Sequence, residues 1–284
     1  MRPEKAAGRG KSSAARRQAP QKLALGAWHA LPATAHVQGT SPRFASLDGP
    51  ATLSDCGAPT GYGWYRVKFH AKGKATVMLP QAGDRLHLYL DGRLERIVGS
   101  GPGAKHGPFA IKFNKTEKDL HTLVALADNM GRAAGGNDIE RHKGLFGHLF
   151  TVKAIRSKPK IATAKPVSGF ALRGFIEGRA ADQLGETRQA VWTFAHPRKT
   201  PVIIEVVPST DRKSSLPSGT FVLNDKPIAY FAGVSGFGED RIVIEPGDAM
   251  GLKRGKNVLR FAPDHVGDNA ADLAKRTTLF EATS

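Results

Sequence analysis

Cysteine is nearly absent from this sequence. Cys56 is the single cysteine among 284 residues, so no disulfide can form within the chain and no cysteine cluster can hold a metal. The ten histidines do not include a helical i, i+4 pair of the kind that zinc enzymes use. We therefore expect no metal and no cofactor, and a fold that is stabilised by the burial of apolar side chains.

Long apolar runs are lacking as well. No stretch approaches the roughly 18 apolar residues needed to span a bilayer, and the basic start of the chain, residues 1–22, leads into no apolar segment typical of a signal peptide. These absences predict synthesis in the cytoplasm and no membrane partner. They leave the final compartment unknown.

Acidic residues are too few to balance the basic ones. The formal charge is +17, of which residues 1–22 carry seven Lys or Arg and one Glu. Such a polar segment cannot bury enough apolar surface to fold, so we expect a disordered basic arm. The arm is typical of a solubilising or assembly tail, and the alternative is contact with nucleic acid, anionic polysaccharide or a neighbouring subunit.

Tyrosine and tryptophan are scarce, with four and three residues, whereas 32 glycines and 18 prolines indicate many turns and short strands. Runs rich in β-branched and aromatic residues recur every 10 to 15 residues, and in the first half they occupy 64–71, 74–80, 85–92, 108–113, 121–128 and 147–155. The best helical candidate is 270–282. We predict an all-β fold.

A segment rich in Pro, Lys and small residues, 156–169, has little to bury and is typical of a linker. The predicted organisation is a disordered basic arm (1–22), a first β-sandwich domain (23–156), a linker (157–169) and a second β-sandwich domain (170–284). Short segments of the two domains also match in the same order: Phe69 with Phe194, Leu88 with Phe221, and Thr122 with Asn257. The growing separation within these pairs suggests two copies of one β topology with turns of different length.

Several short motifs of the first domain occur in a fixed order. They are Tyr65 and Arg66 on a strand, Asp91 and Gly92 in a two-residue hairpin turn, Gly131 and Arg132 at the opening of a loop, and Lys143 and Gly144 at its end. This order, within about residues 45–155, resembles the galactose-binding-like jelly-roll accessory domains of β-galactosidases of glycoside hydrolase family thirty-five and, more loosely, family two. The resemblance implies that the first sandwich is a jelly roll and that it serves carbohydrate binding or scaffolding, with carbohydrate as the partner. The ordered match between the two halves predicts that the second domain is a related sandwich.

The loop from 129 to 143 carries glycines and charges, which are typical of a phosphate cradle, a catalytic loop or the rim of a binding site. A phosphate cradle is excluded because no helix N-terminus follows its glycines. Asp138 and Glu140 lie beside Arg141 and Lys143, which favours ion pairs over the acid and base of a glycosidase. In the resembling enzymes the catalytic glutamates lie on a separate barrel, for which this chain has no room. We therefore expect no enzymatic activity.

Sugar binding requires aromatic rings for the apolar sugar face and polar side chains for the hydroxyls. The candidate carbohydrate-binding residues are Trp64, Tyr65, Arg66, Asn129, Arg132, Asn137 and Asp138. Because neighbouring strand residues face opposite sides, Trp64 and Arg66 share one face and Tyr65 takes the other. At least one of the two aromatic rings is thus expected in the core.

These observations favour a non-catalytic carbohydrate-binding or scaffolding protein. Two alternatives remain open. The first is a structural assembly protein of the virion or phage type, made in the cytoplasm, which uses jelly-roll domains to contact other subunits or host glycans. The second is an accessory subunit or fragment of a β-galactosidase-like glycosidase.

Overall fold

The computed structural model describes residues 27, 32–99, 101–105, 107–114, 119–131, 142–164, 186–197, 199–207, 216–233, 241–247, 249–265 and 269–283. Contacts divide the chain into Met1–Pro32 and Ala33–Ser284, and every element below lies in the second unit. The strands are β1 (Ala51–Thr52), β2 (Gly61–His70), β3 (Gly73–Met78), β4 (Ala82–Gly83), β5 (Arg85–Leu90), β6 (Arg93–Gly99), β7 (Phe109–Phe113), β8 (Leu120–Asn129), β9 (Gly144–Leu145), β10 (Phe150–Ala154), β11 (Lys160–Ala164), β12 (Thr187–His196), β13 (Val202–Val206), β14 (Gly219–Leu223), β15 (Lys226–Phe231), β16 (Arg241–Ile244), β17 (Gly255–Pro263) and β18 (Thr277–Thr283). The helices are α1 (Thr34–Val37) and α2 (Ala271–Arg276).

The first half is a sandwich of antiparallel strands. One layer has the order β2-β8-β5-β6, and the facing layer contributes β7-β3-β10. Leucines at alternate positions of β5, Leu86, Leu88 and Leu90, point inward and pack against Val77 and Ile111 of the facing layer. This alternation leaves one face of the β2-β8-β5-β6 sheet outside the core.

The second half repeats this arrangement. Its sheet has the order β12-β17-β14-β15, with β11 added beside β12, and it faces β16-β13-β18. Its core includes Trp192, Phe221 and Phe261. The strands therefore correspond in order across the two halves, and the prediction of an all-β chain with two sandwiches is confirmed.

The correspondence extends to local detail. The hairpin turn at Asp91-Gly92, predicted from the sequence, has positive φ at both residues, and so has Asn224-Asp225 in the second half. Each turn follows a strand with an irregular register, after Leu88 in β5 and after Phe221 in β14.

The backbone around these turns corrects one pair of the predicted repeat. The Oδ1 atom of Asp91 accepts a hydrogen bond from the Thr122 amide at 2.9 Å, and Oδ1 of Asn224 accepts one from the Val258 amide at 2.9 Å. Thr122 therefore corresponds to Val258, one residue beyond the Asn257 predicted from the sequence. A shift of one residue along a strand exchanges the two faces, so the correction matters for assigning side chains.

The two halves meet in one six-stranded sheet of order β16-β13-β18-β10-β3-β7. At its centre β10 and β18 run antiparallel with Val152 opposite Ala282. Arg241 of the second half donates hydrogen bonds to the carbonyl oxygens of Leu79 at 3.1 Å and Ala82 at 2.9 Å in the first. The division into separate domains at 157–169 stays a prediction.

Two segments differ from their predicted structure. Lys160–Ala164, placed in the linker, is strand β11, and four of its five residues are exposed, so it lacks the alternation that marks a strand. The predicted helix 270–282 is helical only in α2 and continues as β18. Thr277 and Thr278 are β-branched and favour the extended backbone that β18 requires.

Candidate functional site

The outer face of the β2-β8-β5-β6 sheet carries rows of side chains from neighbouring strands. Tyr62 lies opposite Asp128, which in turn lies opposite Arg85. Arg85 and Asp128 form a salt bridge, in which Nε of Arg85 also donates to Oδ2 of Asp128 at 3.1 Å. Tyr62 is 65% exposed beside this ion pair.

The next row is aromatic and partly covered. The ring of Trp64 lies 5.4 Å from that of His36 and 6.3 Å from that of Tyr89, measured between centroids. The guanidinium of Arg66 lies over the ring of Phe44, 4.8 Å from its centroid, and Nη1 of Arg66 donates to the Gly39 carbonyl at 2.9 Å. The segment 34–44 therefore packs over the rows that contain Trp64 and Arg66.

A second segment borders the same face. Nη1 of Arg85 donates to the Pro102 carbonyl at 3.2 Å, and the Lys105 amide donates to the Ile97 carbonyl at 3.0 Å. The surface between segments 34–44 and 101–105 is here called the outer strip, and it consists of Tyr62, Trp64, Arg85, His87, Leu126 and Asp128. It combines rings with a cation and a carboxylate.

His87 is the titratable group of the outer strip that has a perturbed pKa. Partial burial lowers the pKa of His87, and the nearby positive charge of Arg85 lowers it further, while Asp128 opposes both. The imidazole is therefore neutral at pH 7, with one donor and one acceptor nitrogen.

The loop that follows β8 is held at its base by one carboxylate. Nζ of Lys143 lies 2.7 Å from Oδ1 and 2.6 Å from Oδ2 of Asp84, and the Met130 amide donates to Oδ2 at 3.2 Å. Asp84 thus binds both ends of the segment 130–143. Gly144 follows with φ +97, and a Cβ on it would lie 2.2 Å from the Tyr65 hydroxyl, so this position requires glycine.

The predicted carbohydrate-binding residues are only partly brought together. Trp64 belongs to the outer strip, and Arg66 lies in the adjoining row, where it holds segment 34–44. Asn129 lies at the end of β8, but its amide donates to the Pro59 carbonyl and its Oδ1 accepts from the Gly131 amide. Its side chain therefore shapes the loop. Arg132, Asn137 and Asp138 lie outside the described residues.

Tyr65 faces away from the outer strip, which removes it from the candidate surface. It is 8% exposed and packs in the first core, as the alternation of β2 requires. Burial raises the pKa of Tyr65.

Sequence reasoning missed Arg85, His87 and Asp128. The signal for the first two was present, because they alternate with the inward leucines of β5 and so must face outward. Asp128 was predicted to lie in a strand, but its pairing with Arg85 could not be predicted because the two residues are 43 positions apart in the sequence. Asp84 and Lys143 were missed as a pair for the same reason.

Neither a metal cluster nor a membrane-spanning helix occurs in the described part of the chain. Within those residues, His, Cys, Asp and Glu form no group of three or more that could hold a metal ion. None of the helices there has the length and apolar character to cross a membrane.

No family model matches the chain, and no curated protein matches it. Among solved structures it is similar to a β-glucuronidase from Bacteroides uniformis, with 14% identity over 81% of this chain and 26% of that one and a TM-score of 0.34. It is also similar to a GH2 β-galacturonidase from Eisenbergiella tayi, with 15% identity over 75% of this chain and 32% of that one and a TM-score of 0.27. A third similar structure is a β-glucuronidase from Ruminococcus gnavus, with 10% identity over 80% of this chain and 39% of that one and a TM-score of 0.33. The chain thus spans two fifths or less of each.

Proposed function

We propose that this chain is a non-catalytic protein that binds carbohydrate at the outer strip. The observation that carries the proposal is the exposed ring of Tyr62 beside the Arg85–Asp128 ion pair on one sheet face. A pyranose has an apolar face and a polar edge, and this pairing of ring and charged groups suits both. The resemblance of residues 45–155 to accessory domains of β-galactosidases supports the same ligand class.

The polar groups of the outer strip are fixed before any ligand arrives. Arg85 is held by Asp128 on one side and by the Pro102 carbonyl on the other. The neutral His87 adds one donor and one acceptor. Groups that are already ordered lose little conformational entropy on binding, so even a small surface can bind a sugar with low affinity.

The ion pairs support a role without hydrolysis. Glycoside hydrolysis needs one carboxyl group that protonates the leaving oxygen and a second that acts as base or nucleophile. The two carboxylates in this region are each paired with a cation, Asp128 with Arg85 and Asp84 with Lys143. These pairs serve the architecture of the sheet end and of the loop base.

A glycan array with the full-length protein tests the proposal, followed by titration of the best oligosaccharide. Tyr62→Ala should weaken binding about tenfold, equivalent to about 1.4 kcal/mol, whereas Tyr62→Phe keeps the ring and should bind like the parent. Val207→Ala removes an exposed apolar side chain of the second half and serves as the control. Equal binding by Tyr62→Ala and the parent would place the ligand elsewhere.

A further inference from the structure

One edge of the first sandwich is open in the part of the chain that the structure describes. β2 is the terminal strand of its sheet and pairs only with β8 among the described strands. The Ala71 amide donates to the Asp119 carbonyl at 3.1 Å, which continues the β2–β8 ladder by one pair. Because ladder bonds alternate, the odd residues of β2 bond to β8 and the even ones point their backbone groups away from it.

The corresponding edge of the second half is occupied. β12 corresponds to β2, and β11 pairs with it antiparallel from Lys160 opposite Val191 to Ala164 opposite Thr187. One step further along β12, Oγ of Ser157 donates to the Thr193 carbonyl at 2.9 Å. The same topology therefore accepts an added strand at this edge, and the chain itself supplies that strand in the second half.

The side chains of the open edge indicate the kind of strand that fits. Lys68 is exposed on the outer face, and so is Arg66, whose guanidinium also holds segment 34–44 through the Gly39 carbonyl and the Phe44 ring. Val67 is 46% exposed on the opposite face. An added strand would set alternate residues beside these two faces. Two neighbouring cations favour carboxylates on one face of the added strand, and the apolar Val67 favours small β-branched residues on the other.

From this edge we infer that β2 is a docking site for an extended acidic segment of a partner protein, which adds antiparallel to it over Tyr62–Lys68. The backbone groups of Tyr62, Trp64, Arg66 and Lys68 supply the hydrogen bonds. Alternating acidic and β-branched residues of the partner supply the specificity. A second copy of β2 is disfavoured as the occupant, because an antiparallel pair centred on Val67 would bring Arg66 of one copy beside Lys68 of the other.

A labelled eight-residue peptide of alternating valine and glutamate is the probe. It should bind the full-length chain saturably, and a peptide of alternating valine and lysine should not. Two further valine–glutamate peptides carry N-methyl groups on alternate residues, one on the valines and one on the glutamates. Only alternate amides of an added strand face β2, so one of the two should lose binding about tenfold or more and the other should keep it.

Variants of Lys68 distinguish the contribution of its backbone amide to peptide binding from that of its side-chain charge. The Lys68 amide points away from β8, so Lys68→Pro removes a docking donor without removing a bond of the β2–β8 ladder. It should weaken peptide binding about tenfold, whereas Lys68→Ala keeps the amide and should weaken binding only about twofold to threefold at low salt. Thermal melts show whether each variant is folded. If Lys68→Pro does not fold, the comparison of the two N-methylated peptides on the unmodified protein still tests the inference.

Hydrogen exchange of the unmodified protein gives the structural readout. Amides of Trp64, Arg66 and Lys68 should exchange fast in the free chain and slow on adding the valine–glutamate peptide, while those of Tyr65 and Val67 are slow throughout. Slow exchange of the even amides before any peptide is added would show that the edge is already occupied and would overturn the inference. Equal loss of binding by both N-methylated peptides, or by neither, would also overturn it.

Discussion

The ion pair between Lys143 and Asp84 should be among the most sensitive points of the first half. Their side chains are 7% and 8% exposed, and Nζ of Lys143 lies within 2.7 Å of both carboxylate oxygens. Lys143→Met would leave the Asp84 carboxylate buried without its cation, with the Met130 amide still donating to Oδ2. Removing one partner of such a pair costs about 3–5 kcal/mol, which lowers the melting temperature by about 6–20 °C in a unit of this size.

A double-mutant cycle by urea titration measures this coupling. Asp84→Asn should also destabilise the fold, but the double variant, which buries no charge, should lose much less than the sum of the two single variants. Lys112→Met removes an exposed lysine of β7 and should change the free energy of unfolding by less than about 0.5 kcal/mol. Additive single effects, or a Lys143→Met cost below about 1 kcal/mol, would refute the account of the loop base.

Three further predictions concern the hairpin turn, a buried histidine and the junction of the two halves. Gly92→Val should destabilise the fold far more than Gly92→Asn in urea titration, because φ is +83 there and a β-branched residue avoids that region; equal stability would argue against the turn. Desolvation lowers the pKa of His196, and Glu281 opposes it less strongly. As the pH falls, His196 is therefore protonated in the unfolded chain before it is protonated in the folded one, so stability should fall as the pH drops below about 6.5. His196→Gln should reduce the difference in melting temperature between pH 7 and pH 5. Arg241→Met leaves two carbonyl oxygens without their donor and should cost about 1–3 kcal/mol, measured by urea titration; an unchanged midpoint would show that the junction does not depend on this residue.

Alternation carried most of what the sequence predicted. The strand at Arg85–Leu90 has leucine at every second position, so both its existence and its inward face could be predicted. β11 could not, because a strand that is exposed on both faces needs no alternation. The end of α2 was missed since Thr277 changes backbone conformation without any Pro or Gly to mark the boundary.

The candidate surface depended on contacts that no local pattern records. Alternation placed Trp64 and Tyr65 on opposite faces of β2, but which face was buried followed from the facing sheet. The covering of Trp64 by His36 joins residues from separate segments, and so does the pairing of Arg85 with Asp128. Such pairs become predictable only once the strand order is known.

Binding and hydrolysis can be measured in one sample, which separates a carbohydrate-binding protein from a glycosidase. The full-length protein is titrated with the oligosaccharide that binds best, and the release of reducing ends is followed over the same period. We expect saturable binding that Tyr62→Ala weakens about tenfold, and no reducing ends above those in a protein-free control. Reducing ends released in proportion to the protein concentration would contradict the non-catalytic role, and the absence of saturable binding to every glycan tested would contradict the carbohydrate site.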